Sequence, residues 1–279
     1  MSLLALKETI NLLMRSPLLF IPGAITGVLA VIVWLVLIQA GTFFTSRLLI
    51  LFLLVALFFI IGLLVAIKKN VVTLEGLFSD GISYYFKVLV PTLVIVFGIL
   101  LIFIMVVLTL TLIGATPAAA LLSFLVIAVI LPTYILTFFY DTAAVFEGKK
   151  VFESLHRSIE VVTANLTEVI LFFIGCIVII LSISFAFLVI WSAFLADRLE
   201  PITKFNETQL QSLSPNQLTM MIGTDGIWIT TVLIFCWVTI LIPFIYTYKA
   251  CFYRLIVGGT TPIQQQMGEF DSKGRWYKY

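Results

Sequence analysis

Charged residues are scarce in this sequence. Lys, Arg, Asp and Glu make up 11% of its 279 residues, against about 25% in a soluble domain. The net charge of +2 leaves no basic surface for phosphates, which argues against a nucleic-acid partner. One histidine and three cysteines provide neither a disulfide framework nor paired metal ligands, so we expect no metal and no cofactor.

Apolar residues are abundant instead. They account for 62% of the chain, and the mean hydropathy is +1.21. No soluble core can enclose that much apolar surface, so a polytopic membrane protein with membrane lipids as neighbours is expected. Because lipid offers no hydrogen-bond partners, the spans are expected to be helical and the fold all-α. Six stretches are long enough to cross a bilayer. They are Leu18–Ala40, Leu48–Ile67, Val88–Ile113, Ala118–Tyr140, Leu166–Trp191 and Ile227–Tyr248.

The distribution of Lys and Arg predicts the orientation. With these six spans, thirteen of the 16 basic residues fall on one side of the membrane, and only Arg47, Arg198 and Lys204 fall on the other. This bias predicts that both termini are cytoplasmic. We expect the protein to lie in the plasma membrane. We expect one transmembrane domain over residues 1–257, an outer loop over 197–226 and a cytoplasmic tail over 258–279.

Similar short segments precede three pairs of spans. They begin near Ala5, Gly76 and Ser154, and this spacing fits one short helix plus two spans per repeat. The units would cover residues 1–67, 68–140 and 141–257. Each segment is amphipathic with helical period, which predicts an interfacial elbow helix that turns the chain into the next span. Pro132 and Pro243 in the returning spans are expected to bend their helices.

The residues around the third elbow carry a family resemblance. Phe139-Tyr140-Asp141, then Glu147-Gly148-Lys149 and the elbow SLHRSIEVVTAN at 154–165 resemble an uncharacterised archaeal and bacterial integral-membrane family. That family is related to the membrane domain of glycerophosphoryl diester phosphodiesterases. In those enzymes, the resemblance implies, a separate soluble domain performs catalysis, and it needs roughly 200 residues for its barrel. The 279 residues are expected to hold the membrane part alone, so the resemblance implies architecture and no activity.

Few residues are candidates for chemistry. His156 stands beside Arg157 without convergent partners, so a surface role is the simpler interpretation, and no enzyme is expected. Asp141 and Glu168 flank the third elbow close to the membrane, where a carboxylate marks a proton or substrate path or else forms an ion pair. We favour an ion pair, with Arg254 as an example of a partner for Asp141.

Two further motifs allow alternative interpretations. Gly23 and Gly27 form a GxxxG motif that lets helices approach closely, either within the bundle, which we favour, or between two copies in a homo-oligomer. Asn206-Glu207-Thr208 is a glycosylation sequon in the predicted outer loop.

The sequence therefore allows three functional classes. A non-enzymatic scaffold or assembly component that contacts other membrane proteins is favoured, because the spans hold few polar groups. The alternative is a small transporter or lipid-handling protein with a site between the repeats, which would require Gln39, Asn165 and the threonines of the spans to face one another. A lipid-modifying enzyme is the least favoured, since no acid, base and nucleophile can be assembled.

Overall fold

A computed structural model describes residues 1–112, 119–203, 215–259, 268–270 and 276–278. Helices dominate this part of the chain. They are α1 (Ser2–Arg15), α2 (Ile21–Lys69), α3 (Leu74–Leu112), α4 (Ala119–Thr137), α5 (Tyr140–Phe146), α6 (Val151–Ala164), α7 (Leu166–Phe194), α8 (Ala196–Thr203) and α9 (Pro215–Gly259), with a 3₁₀ turn at Pro17–Phe20 between α1 and α2.

Five helical stretches are long and apolar enough to cross a membrane. They are Pro17–Lys69, Leu74–Leu112, Val126–Phe146, Leu166–Phe194 and Thr219–Gly258. A bilayer core of about 30 Å needs roughly 20 apolar helical residues, so the chain is a membrane protein built from helices. The first stretch, with 53 residues, is far longer than one crossing requires.

That first stretch contains a reversal at Gly41. Its φ of 74° and ψ of −175° interrupt the helix, in a region that other residues essentially do not enter. Leu19 and Leu64 lie in one hydrophobic cluster, although 45 helical residues in a straight line would separate them by roughly 68 Å. The chain therefore folds back at Gly41, and α2 consists of two arms, residues 21–40 and 42–69.

The core is concentrated at one end of the bundle, which we call the base. The base comprises α1, α5, α6, the last turns of α2 and α9, and the first turns of α3 and α7. One of its clusters surrounds Ile60–Ile67, and the other surrounds Phe172 and Phe252, whose stacked rings lie 4.4 Å apart. α9 contributes to both clusters, so it is the element on which the base is assembled.

Away from the base the helices are much less covered. The most apolar 18-residue window of α3 contains no buried residue. Phe97, Leu100 and Leu101 on this helix have about half or more of their side-chain surface exposed. Lipid or another membrane protein must cover such a surface in the bilayer, because water cannot.

The predicted elbow helices are separate elements in two of three units. α1 ends before Ser16 and α6 ends before Asn165, where the backbone leaves the helical region. The prediction of a separate second elbow was wrong, since α3 runs without a break from Leu74 to Leu112. The residues after Gly76–Ile82 stay helical as far as Leu112, so the helix continues directly into the span.

The far end of the bundle holds α8 and the start of α9. Arg198 and Asp225 approach to 3.9 Å there. Asn206 falls in the segment 204–214, outside the described residues. In the predicted tail, β1 (Gly268–Phe270) pairs antiparallel with β2 (Trp276–Lys278), so the all-α prediction describes the helical domain and not this hairpin.

Candidate functional site

A buried ion pair joins α5 to α9 inside the base. Lys249 Nζ lies 2.7 Å from Asp141 Oδ1 and 2.8 Å from Oδ2, and the two side chains are only 5% and 7% exposed. The backbone N–H and the hydroxyl of Thr142 also donate to Asp141 Oδ1. The ring centroid of Phe138 lies 4.2 Å from the ammonium, close enough for a cation–π interaction. A buried charge needs such partners, because desolvation otherwise makes it very costly.

The structure corrects the predicted partner of Asp141. Arg254, the example drawn from the sequence, instead pairs with Glu8 of α1 and also reaches the side chain of Asn70, 3.5 Å away. Asn70 ends α2 with a left-handed φ of 53°. Lys249 lies more than one helical turn before Arg254, so the two cations of α9 serve different neighbours. Arg254 thereby connects α1, α2 and α9 on the exposed side of the base.

A second charged group links α6 to α9. Arg157 Nε donates to both carboxylate oxygens of Glu147, at 3.0 and 3.1 Å, and its Nη1 donates to Glu160. Tyr253 donates its hydroxyl proton to Glu147 over 2.6 Å. Burial lowers the pKa of Arg157, but the hydrogen bonds to the two carboxylates outweigh it and raise the pKa above its ordinary value. The guanidinium therefore stays charged and holds the elbow against α9.

The break between α4 and α5 is supported by a serine of the third elbow. The N–H of Phe139 donates to Ser158 Oγ over 3.0 Å, and the Ser158 hydroxyl donates to the carbonyl of Leu136 over 2.8 Å. Both backbone groups lose helical partners at the break, and an unsatisfied buried polar group is costly. Ser158, which is fully buried, thus allows a non-helical step within the base.

The remaining predicted acid lies at the start of α7. Glu168 Oε2 is 3.1 Å from the ammonium of Met1, and the next residue, Ser2, shares a hydrogen bond of 2.6 Å with Tyr248. Glu168 therefore belongs to the contacts that hold α1 against α7 and α9. The two acids therefore have separate partners, since Glu168 pairs with the ammonium of Met1 and Asp141 pairs with Lys249.

The glycine motif packs inside the chain. A Cβ on Gly23 would come within 2.4 Å of the Thr239 carbonyl oxygen, and one on Gly27 within 2.8 Å of the Thr239 hydroxyl. Pro243 is buried against Gly23, whereas Pro132 is exposed within α4. The two prolines therefore have different surroundings, and the GxxxG motif serves the contact between α2 and α9.

Polar side chains of the spans bond mostly to their own helices. The hydroxyls of Thr26, Thr133 and Thr231 each donate to a carbonyl one turn earlier. Gln39 is exposed, and Asn165 donates to the carbonyl of Val161 at the end of α6. These groups do not converge on a shared cavity.

Surface chemistry at the third elbow is limited. His156 is exposed and lies beside Lys149, Phe152 and Arg157 around a shallow depression. Within the described residues, no group of three or more His, Cys, Asp or Glu side chains is arranged to hold a metal ion.

Sequence reasoning missed Lys249 and Ser158. By sequence alone, Lys249 is only one of the cytoplasmic charges. Its position next to Tyr248, at the end of an apolar stretch, indicates that its side chain can be buried. Ser158 had no distinguishing signal, because serine is common on the polar face of interfacial helices. Lys249 and Ser158 become recognisable only when α9 and α6 are packed against Asp141 and Phe139.

The long apolar helices and the paired charges define the chain as a polytopic α-helical membrane protein. Its buried polar groups hold the helices together. The chain belongs to the family described as a domain of unknown function (DUF7847), which it matches over residues 2–256. No curated protein and no solved structure matches it.

Proposed function

We propose that this protein is a non-enzymatic scaffold or assembly component of the plasma membrane. The observation that carries the proposal is the division of the molecule into two parts. Charged and polar side chains satisfy one another within the base, as Lys249 with Asp141 and Arg157 with Glu147. Beyond the base, α3 presents an apolar surface that nothing in the described chain covers.

The spaces between neighbouring spans support the same proposal. A groove of about 270 Å³ between α3 and α4 is lined by apolar side chains including Val96, Phe103 and Val129. Between α7 and α9 a groove of about 230 Å³ contains Ser184 and Thr230. These two side chains accept hydrogen bonds from Trp237 and Trp191, so they do not form a polar path. Pockets for small molecules usually have 300–1,000 Å³, and both grooves are smaller.

The proposal includes six membrane crossings with both termini in the cytoplasm. The reversal at Gly41 supports two crossings within α2. The bias of Lys and Arg towards the base supports a cytoplasmic base. Labelling of single cysteines tests this, with Cys176, Cys236 and Cys251 first replaced by Ser. A cysteine replacing Thr42 is expected to react with an impermeant reagent from outside intact cells, and one replacing Lys150 only after lysis. The opposite pattern, or equal labelling, would contradict the topology.

The assembly role is tested by native mass spectrometry on the protein transferred from its own membrane into lipid discs. A photo-crosslinking residue at Leu100 reports on the exposed arm of α3, and one at Glu153 on the surface of α6 is the matched control. We expect the Leu100 variant to form a discrete adduct with a second membrane protein or with a second copy of the chain. We expect the Glu153 variant to form no such adduct. Adducts with bulk lipid alone would contradict the assembly role.

A second candidate is lipid handling, which the apolar groove between α3 and α4 favours. One lipid species recovered at fixed stoichiometry and lost when Val129→Trp fills the groove would put this candidate first. Ala128→Trp, on the same helix but outside the groove lining, provides the control.

A further inference from the structure

Two lysines of the base lie near the ring of one tyrosine. Lys68 Nζ is 5.7 Å and Lys87 Nζ is 4.8 Å from the ring centroid of Tyr84, and both distances are within the range of cation–π interactions. Lys68 lies in the last turn of the second arm of α2, while Tyr84 and Lys87 are one turn apart on α3. Two positive charges are thus gathered where the helices leave the base.

No carboxylate of the described chain neutralises this pair. Lys68 donates to the carbonyl of Val145, 2.8 Å away. Lys87 makes neither a hydrogen bond nor a salt bridge within the described residues. Two acids of the base have other partners, because Asp80 binds Lys69 and Glu147 binds Arg157. The site therefore keeps a local excess of positive charge that an anion can neutralise.

With the base at the membrane surface, as the proposed topology requires, the charges on α3 lie near the lipid headgroups. Asp80 pairs with Lys69, whose side chain is 54% exposed at the surface of the base, and Lys87 follows Asp80 by seven residues, roughly 10 Å along the axis. Lys87 lies beside Phe86, which is 70% exposed. A lysine on a lipid-facing surface extends its ammonium towards the headgroups. The ammonium of Lys87 lies over the ring of Tyr84, which is one turn closer to the base, so the lysine side chain points towards the base.

An apolar surface continues from this site towards the far end of α3. It consists of side chains that recur at helical spacing and are all exposed, namely Phe86, Val90, Leu93, Phe97, Leu100 and Ile104. Residues 86–104 span roughly 27 Å of helix, which is more than half of the hydrocarbon thickness. A cationic site joined to an apolar stripe has the shape and polarity of a phospholipid.

We propose that Lys68, Lys87 and Tyr84 bind the phosphate of an anionic membrane phospholipid, whose hydrocarbon chain lies along the part of the stripe nearest the base, from Phe86 to Phe97, and leaves the surface at Leu100 free. The ammonium groups supply the charge attraction, and the Tyr84 hydroxyl is available to donate a hydrogen bond. A free phosphate ion would use the cations but not the stripe. This site does not depend on the assembly role, because it needs only that the base faces a lipid surface.

Native mass spectrometry of the full-length protein tests the proposal. The protein in detergent is mixed with phosphatidylglycerol or with phosphatidylcholine that has the same chains, and glycerol phosphate serves as the chain-free probe. We expect one phosphatidylglycerol molecule to be retained in preference to phosphatidylcholine, with no retention of glycerol phosphate. An anionic surface attracts each nearby lysine with an energy equivalent to about fivefold in affinity, so Lys87→Gln is expected to weaken retention about fivefold.

Matched variants separate the site from general charge effects. Lys7→Gln removes the same charge from an exposed position on α1 and is expected to retain phosphatidylglycerol like the parent protein. Tyr84→Phe is expected to weaken retention less than Lys87→Gln. Because Lys68 also supports Val145, Lys87→Gln is the decisive variant. Equal retention of both lipids, an unchanged Lys87→Gln protein, or an equal loss in Lys7→Gln would overturn the proposal.

Discussion

Lys249 and Asp141 are 108 residues apart in the chain and form a salt bridge of 2.7 Å in the interior of the base. The carboxylate belongs to the short helix α5, and the ammonium belongs to α9. Each charge is held in place by the other, and the rings of Phe138 and Tyr246 cover the ammonium at 4.2 and 5.6 Å. The pair therefore fixes the relative position of two helices that lie at opposite ends of the third predicted repeat unit, residues 141–257.

Asp141→Asn is expected to destabilise the protein strongly. The substitution leaves the Lys249 charge buried without its counter-ion, and breaking a buried pair in this way costs about 3–5 kcal/mol. The thermal unfolding midpoint in detergent is the measurement. The double variant Asp141→Asn with Lys249→Met removes both charges and is expected to recover most of the loss. A single variant as stable as the parent would show that the pair is not structural.

Gly23→Ala is expected to separate α2 from α9. The added Cβ would meet the backbone oxygen of Thr239 at 2.4 Å, and overpacking of this kind costs typically 1–3 kcal/mol. Gly98→Ala is the control, since a Cβ there meets nothing within 4 Å and alanine is more favourable than glycine inside a helix. Thermal unfolding should show a loss for Gly23→Ala and no loss for Gly98→Ala. Equal stability of the two variants would rule out the close contact.

Gly41→Ala is expected to be destabilising for a different reason. A Cβ at Gly41 would have open space around it, but the φ of 74° combined with ψ of −175° suits glycine alone, and strain of this kind costs about 1–3 kcal/mol. The unfolding midpoint should therefore fall, whereas Thr42→Ala beside it should have little effect. If both variants behave alike, the turn between the two arms of α2 does not have this backbone conformation.

Ser158→Ala is expected to weaken the break between α4 and α5. It leaves the N–H of Phe139 and the carbonyl of Leu136 without their partner, and each buried unsatisfied group costs about 1–3 kcal/mol. Ser154 is also buried on α6, but its hydroxyl bonds only to the carbonyl of Val151 in the same helix. Hydrogen exchange near residue 139 should rise in Ser158→Ala and not in Ser154→Ala. Unchanged exchange in both would contradict the bridging role.

Composition and hydropathy were sufficient to predict helices that can cross a membrane. Such runs depend only on local sequence, and Leu166–Trp191 agrees closely with α7. The second elbow was mispredicted because an amphipathic segment can continue into a span when no capping or breaking residue stops it, as Gly76–Ile82 does within α3. Hydropathy and amphipathic periodicity do not define where such a helix stops, which depends on capping or breaking residues.

The partner of Asp141 could not be read from the sequence either. Both Lys249 and Arg254 follow the same proline in α9, and only the packing of α9 decides which cation is buried. Long-range pairs depend on helix rotation and depth, which hydropathy does not define. The signals at Gly23 and Gly27 were more informative, since the absence of side chains at one-turn spacing already indicated a close helix contact.

The position of α9 near the end of the described helices has a consequence for biosynthesis. Gly23, Asp141 and Glu8 all find their partners on α9. The ribosome adds roughly 5–20 residues per second, so Asp141 stays without its counter-ion for roughly 5–20 s until Lys249 has been made. During this interval the earlier helices occupy the membrane with an open base. A nascent chain arrested before residue 249 should therefore expose Asp141 and be a substrate for quality control.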